Sequence, residues 1–277
     1  MGELFPSDID YLVFTVDRKR YGIPYLNVVS IVDMPSNQTV IPSSPHEMRG
    51  VVCFRDESLS VIDLRLCFGA TSRGQETEEL ISNMALRKQD HINWLGNLKK
   101  SVFNHEPITV QTNPHKCAFG MWYDNFQSDN ANLKAYMARF DKPHQQIHHL
   151  AVDAERLIKS GQEEAAKQLI QSAEQDVLQK LLSLFEGIEH VVRAYLLEYI
   201  VIVQIEGQQF GLSVDDINVF SRLESIQHPL PSSMGGDSSV QNLVQGIGRY
   251  KNDVEDRMDD VLLLDVSRIV NQCDIAA

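Results

Sequence analysis

Four side chains in the middle of this 277-residue chain have the chemistry to hold a metal ion. His91 opens His91-Ile-Asn-Trp94, Cys117 opens Cys117-Ala-Phe-Gly-Met-Trp-Tyr123, and His144 and His148 fall in Pro143-His-Gln-Gln-Ile-His148. Positions i and i+4 share one helical face, so the last two can chelate one ion. A helical bundle can bring His91 and Cys117 to the same point from neighbouring helices. Three imidazoles and one thiolate complete a tetrahedron, and zinc suits that mixed nitrogen and sulfur set best. Taken singly, each piece has a plainer reading. A His-x-x-x-His on a helix is more often a polar pair than a ligand set, and a lone Cys is commonly a buried, inert thiol. Trp94, Phe119, Trp122 and Tyr123 read as core packing that also shields a site from water. His149 points about 100° away from His148 on a helix and is left out. His46, His105, His115, His190 and His228 read as surface or loop residues. Asp141, one turn before His144, either orients an imidazole or is a solvated surface acid.

Four protein ligands leave no open coordination position, which argues against a hydrolytic metal with three ligands and a water. No His-Glu-x-x-His is present; Gln145 and Gln146 occupy the place of a general base. A closed site with one thiolate permits one reaction, attack of a strong oxidant on sulfur with loosening of the metal. Metal occupancy is itself a second available signal. No P-loop, dinucleotide fingerprint, kinase signature or receiver domain is found, and no catalytic residue is assigned.

The elements that must position these residues form a segment of helical texture from about Gln75 to Tyr195. Gly and Pro are scarce over residues 80–105 and 151–185. Apolar residues at Ala166, Ile170, Ala173, Val177, Leu181, Leu184, Ile188, Val191 and Tyr195 predict one buried stripe on one long helix. Long helices with short connections predict an antiparallel bundle. The flanks read differently. Tyr11–Val16, Tyr21–Ile23, Val51–Phe54 and Leu59–Leu64 are strand-like, with turns at residues 17–20 and 56–58 and a short helix or turn around Leu26–Ile31. The same order returns as Tyr199–Ile205, a turn at residues 206–209, Phe210–Leu212, a short helical element over Val214–Val219, Val244–Gly248 and Val261–Val266. Pro229 and Pro231 answer Pro42 and Pro45. This pattern is an internal duplication of short strands, pointing to small antiparallel barrels. The expected class is therefore α+β and multidomain: a β-subdomain over residues 1–74, a helical insert over 75–196 and a second β-subdomain over 197–277.

The formal net charge is −13. The insert holds 16 acids and 13 bases, about −3, so the flanks carry about −10. Such a chain is repelled by nucleic acid and anionic lipid, and a basic protein surface is the better partner. No apolar run approaches the ~20 residues that span a bilayer, so membrane insertion is not expected. The acidic start lacks the basic region of a secretory signal, and Cys53, Cys67, Cys117 and Cys273 are scattered. A reducing, cytoplasmic compartment is the expectation.

The flanks resemble the CheW-like coupling domain of bacterial chemotaxis over about 135 residues. The matching strings are Tyr11-Leu-Val-Phe-Thr-Val, Tyr21-Gly-Ile, Arg49-Gly-Val, Phe54-Arg55 and Val61-Ile-Asp-Leu-Arg65, then Phe210-Gly-Leu-Ser-Val, Gln245-Gly-Ile and Leu262-Leu-Leu-Asp-Val. The resemblance implies two five-stranded barrels that bind the chemoreceptor's cytoplasmic tip and the regulatory domain of the chemotaxis histidine kinase, and recruitment to chemoreceptor arrays. By position, Val28, Gly50 and Arg55 match residues that the family uses at partner surfaces; barrel packing is the alternative reading for Val28 and Gly50. Asp56 departs from the family's usual Gly and adds an acid beside Arg55. The insert resembles the chemoreceptor zinc-binding (CZB) domain over about 120 residues, through His91-x-x-Trp94, Cys117-x-Phe-Gly-x-Trp-Tyr123 and His144-x-x-x-His148. That resemblance implies a helical bundle, often dimeric, with a zinc ion on His91, Cys117, His144 and His148 that senses zinc or hypochlorous acid. The expected function is thus a non-enzymatic adaptor regulated through zinc; the alternatives are a scaffold with purely structural zinc and, last, a zinc enzyme.

Overall fold

The structure is a computed structural model and describes residues 4–35, 37–128, 130–228, 242–252 and 256–272. In chain order, β1 (Asp10–Val16) and β2 (Lys19–Pro24) form a hairpin, followed by β3 (Val28–Asp33), β4 (Met48–Phe54), β5 (Glu57–Asp63) and a short α1 (Leu64–Cys67). Six helices follow: α2 (Arg73–Asn104), α3 (Ala118–Tyr123), α4 (Ala131–Ala138), α5 (Asp141–Lys159), α6 (Glu163–Gln175) and α7 (Val177–Tyr195). The chain then returns to strands, β6 (Tyr199–Ile205), β7 (Gln208–Val214), β8 (Asp216–Arg222), β9 (Ser225–Gln227), β10 (Val244–Asn252) and β11 (Arg257–Leu264), and to a last helix, α8 (Val266–Gln272). Two compact units result, one made of Met1–Gln75 with Leu197–Ala277 and the other of Glu76–Leu196.

The hairpins turn where the sequence supplies polar residues tolerant of positive φ. Asp17 and Arg18 (45° and 64°), Arg55 and Asp56 (51° and 65°), and Glu206 with Gly207 (50° and 87°) each close a two-residue loop. Two adjacent positive-φ residues match the right-handed twist of the flanking strands. The expected turns at residues 17–20, 56–58 and 206–209 are therefore each shorter, and the second starts one residue earlier.

Besides the pairs within each flank, strands also pair across the duplication. One sheet has the order β8-β1-β2-β11-β10-β9 and the other β3-β6-β7-β5-β4. Each takes the first hairpin of one flank and the later strands of the other. Two pairings are parallel, β11 with β2 and β5 with β7, and they join the flanks at equivalent places. The expectation of closed, purely antiparallel five-stranded barrels is corrected: the sheets are open, mixed, and of six and five strands. Strand type was legible from composition, but pairing between residues from about 150 to about 240 positions apart leaves no local trace. Around Leu26–Ile31 the short helical element is one 3-10 turn, Tyr25–Asn27, which leads into β3. The one over Val214–Val219 is corrected: Val214 ends β7, and β8 follows from Asp216. β3 and β8 bind the outer edges of β6 and β1. Pro229, Pro231 and Cys273 lie outside the described residues.

Leu12, Phe14, Tyr21 and Ile23 from one sheet pack with Ile62, Val201, Val203 and Leu212 from the other, and with Leu64 of α1 and Ile269 of α8. Two charged clusters close this unit. The Asp215 carboxylate receives the Arg65 guanidinium at 2.7 Å, the Arg73 guanidinium at 3.0 Å and the Asp17 N–H at 2.9 Å. Arg49 meets Glu198 at 2.6 Å and Asp63 at 3.2 Å.

In the helical unit, α5 packs on α6 and α7, and α4 packs on α7. Gly161 (φ 74°) ends α5, and its N–H caps the Ile158 carbonyl at 2.9 Å, in the left-handed conformation that glycine adopts without strain. The single long C-terminal helix is corrected to two. Asp176 (φ −116°, ψ −76°) breaks it, and the buried stripe continues on Leu178, Leu181, Leu184, Phe185, Ile188 and Val192. The break advances the register by about one residue, which leaves Val177 and Val191 half-buried and Tyr195 exposed. Among the described residues, no helix is long and apolar enough to cross a membrane.

Candidate metal centre

Two helices and the start of a third build the site. His91 projects from the middle of α2, and His144 and His148 stand one turn apart on α5. Cys117 is the N-cap of α3, where its sulfur accepts the Gly120 N–H at 3.2 Å. The ligand atoms of these four residues all lie within 4.8 Å of one another. The three histidines are buried and Cys117 is half-buried. The fully buried Phe119 ring lies 4.8 Å from the His144 ring and 5.8 Å from that of His91, and Phe140 and Phe185 pack behind it. Of the aromatic residues expected to shield the site, Phe119 and Trp94 meet its imidazole rings, while Trp122 and Tyr123 pack on Phe119.

Two of the imidazoles are oriented by backbone. His91 Nδ1 lies 2.7 Å from the Arg87 carbonyl and His148 Nδ1 2.7 Å from the Gln111 carbonyl. A carbonyl only accepts, so each Nδ1 carries the proton and each Nε2 presents a lone pair. Both Nε2 atoms are buried and have no hydrogen-bond partner among the described residues. Buried polar atoms are rarely left this way, and two that point with a third imidazole and a thiol at one place fit a bound cation. His144 Nε2 lies 3.2 Å from the Cys117 sulfur. Asp141 plays no orienting part: it is exposed and accepts from Gln145 at 2.8 Å. Sequence reasoning looked to a side chain for this role and missed the two carbonyls, which carry no residue-type signal.

Burial sets the protonation of the metal-free site. It lowers the pKa of His91 and His148 and brings that of His144 down to about 3, where the neighbouring His91 and His148 add to the effect. Burial also pushes the Cys117 thiol up, against the pull of the Gly120 and Phe119 N–H groups. Without a cation the cysteine is therefore a thiol, donating to the Pro114 carbonyl at 3.3 Å; a coordinated cation deprotonates it.

These shifts predict acid sensitivity in the metal-free protein. A histidine whose pKa is depressed by folding binds fewer protons in the native state than in the unfolded chain. Stability present above about pH 6.5 is then lost as pH falls, by up to about 1.4 kcal/mol per pH unit for each such group. Circular dichroism of chelator-treated protein should show the midpoint of urea unfolding dropping steadily from pH 7 to pH 4. A midpoint independent of pH over that range would contradict the buried neutral histidines.

Comparison with known protein families matches residues 10–86 to the CheW-like domain and residues 91–154 to the chemoreceptor zinc-binding domain. The chain carries a CheW-like domain followed by a CZB domain. Among solved structures it is similar to the crystal structure of scaffolding protein TtCheW from Thermoanaerobacter tengcongensis, with 16% identity, 93% of this chain and 89% of that one covered, and a TM-score of 0.40. No curated protein matches the chain.

All four clustered residues fall in the CZB stretch. Of the other residues singled out from the sequence, three lie in the CheW-like stretch. Val28 is half-buried at the start of β3, and Gly50 is buried in β4. Arg55 is exposed in the β4–β5 turn, with its guanidinium 4.9 Å above the Phe54 ring. Gly50 has a packing reason of its own. Its φ is 141°, and a Cβ there would come within 2.5 Å of the Thr39 carbonyl oxygen, where Thr39 bridges to Val51. Cys53 is exposed and Cys67 is buried.

Proposed function

We propose that this chain is a cytoplasmic adaptor that couples chemoreceptors to the chemotaxis histidine kinase, and that zinc bound by His91, Cys117, His144 and His148 regulates the coupling. The two buried, unpartnered Nε2 atoms facing the Cys117–His144 pair carry the zinc reading. A set of three nitrogens and one sulfur in a closed, aromatic-walled pocket fits zinc, and it leaves no position for a substrate or an activated water. No catalytic role is assigned to any residue. The CheW-like stretch supports the adaptor reading, with Val28, Gly50 and Arg55 at the partner surfaces that bind the kinase's regulatory domain and the receptor's cytoplasmic tip. Asp56 beside Arg55 tunes the charge of that contact. The helices pack as an antiparallel bundle in this reading, and the bundle supplies a dimer surface.

Zinc gives the cysteine its reactivity. Hypochlorous acid converts a thiolate to a sulfenic acid: two electrons pass from sulfur to chlorine, which leaves as chloride. The sulfur loses its charge and its hold on the metal. A purely structural zinc is the second reading, favoured by the closed ligand set, since such sites contribute folding energy outright. Metal content measured by mass spectrometry separates the two. Wild type is expected to carry about one zinc per chain, and His148→Ala almost none. A stoichiometric pulse of hypochlorous acid should release the zinc together with the Cys117 thiol and change binding of the kinase's regulatory domain. Zinc that survives the pulse, or kinase binding that ignores zinc and oxidation alike, would leave only the structural role. Wild type without zinc would remove the ligand assignment itself.

A further inference from the structure

The carbonyl that holds His148 is itself held. The Trp94 indole N–H donates to the Gln111 carbonyl oxygen at 2.8 Å, and His148 Nδ1 lies 2.7 Å from the same atom. A carbonyl has two lone pairs, so it can accept both. Trp94 lies one turn after His91 on α2, and its ring meets the His148 ring edge-on at 5.0 Å. Residues 111–117 form one braced segment. The Gln111 side chain accepts the Asn113 N–H at 3.0 Å, and the Asn113 side chain accepts the His115 N–H at 2.9 Å. The single turn Pro114–Lys116 follows and delivers Cys117. Gln111 is exposed, so without an anchor its carbonyl would turn to water.

We infer that Trp94 is a positioning residue of the metal centre: its indole N–H pins the Gln111 carbonyl that orients His148, so that residues 111–117 carry both the thiolate ligand and an orienting acceptor on one segment fixed to α2. The inference rests on the zinc reading above and adds a coupling to it. When Cys117 leaves the metal, the segment that moves is the one that holds His148, and the two ligands loosen together. The metal is then lost as a whole rather than retained on three histidines.

The test compares full-length wild type, Trp94→Phe and Trp122→Phe, using zinc competition with a chromogenic chelator and NMR of protein labelled with ¹⁵N-histidine. Trp94→Phe keeps a six-membered aromatic ring and removes the N–H together with the five-membered part of the indole. Loss of an orienting partner of a metal-bound histidine typically costs about 10–100-fold in affinity, and that loss is expected here, with a shifted His148 Nδ1–H resonance. Trp122→Phe, which makes the same reduction of an indole in the same cluster, should stay within about threefold. In unmodified protein, the Trp94 indole N–H and His148 Nδ1–H signals should change together as zinc is stripped, which keeps the test open should Trp94→Phe fold poorly. Trp94→Phe with wild-type affinity, an unmoved His148 resonance, or indole and imidazole signals that respond independently would overturn the pin. Wild type that takes up no zinc would instead overturn the metal reading beneath it.

Discussion

Gly120→Ala is expected to abolish zinc retention and to destabilise the helical unit by about 3 kcal/mol or more, at the upper end of what overpacking costs. A Cβ at Gly120 would lie 1.8 Å from the Pro114 carbonyl oxygen and 2.8 Å from its carbon. Those atoms are backbone and cannot swing aside as a side-chain tip would. Gly120 is also buried, and its N–H is a donor to the Cys117 sulfur. Relieving the clash therefore means moving α3 away from the turn before it, and with α3 the thiolate. Gly96→Ala on α2 is the matched control, since its added methyl meets nothing within 4 Å. That change should be neutral or stabilising by up to about 1 kcal/mol, as alanine favours helix. Urea unfolding and zinc content of the two variants measure the contrast. Equal behaviour would mean that α3 does not sit against Pro114.

Asp215→Ala is the second large effect, an expected loss of about 3–5 kcal/mol from the β unit. Arg65 is 4% exposed and Asp215 7% exposed. One carboxylate faces the guanidinium groups of both Arg65 and Arg73 and accepts a backbone N–H from the β1–β2 turn. Truncation takes the buried carboxylate from both guanidinium groups and leaves Arg65 the half-exposed Asp17 at 3.7 Å, which costs far more than loss of an exposed ion pair would. Asp215→Asn keeps the shape and the acceptor while removing the charge, so it should fall between alanine and wild type. Unfolding midpoints at neutral pH read the series. An alanine variant as stable as wild type would show that water, rather than protein, surrounds these groups.

The features legible in the sequence were those encoded locally. Tyr199–Ile205 is a strand with the bounds its β-branched run suggests, and the i, i+4 spacing of His144 and His148 placed both on one face of α5. Cys117 and His91 were brought into the same group by residue chemistry, and the structure sets all four ligand atoms close together. What escaped was non-local or belonged to the backbone. Leu26–Ile31 read as a short helix or turn, yet the turn ends at Asn27 and Val28–Asp33 takes the edge that β6 offers. Asp176 breaks a stripe whose hydrophobic rhythm runs almost unbroken through it. The Gln111 carbonyl, which completes the site, could belong to any residue type. Trp94 looked like ordinary core, and its N–H gains meaning only from the loop that passes it.

The exchange of strands between the flanks governs how the protein can be made. A ribosome that has released residues up to Leu196 has delivered β1 to β5, yet neither sheet can be completed, because β1 and β2 wait for β8 and β11 while β3 and β5 wait for β6 and β7. The helical unit, with its contacts close in sequence, can fold meanwhile, and its folding shortens the effective tether between the two flanks. Until the last strands emerge, the early ones present open edges that could pair with another nascent chain. Splitting the gene after Leu196 should therefore yield a first fragment that aggregates, and the two fragments should recover the sheets only when they are produced together.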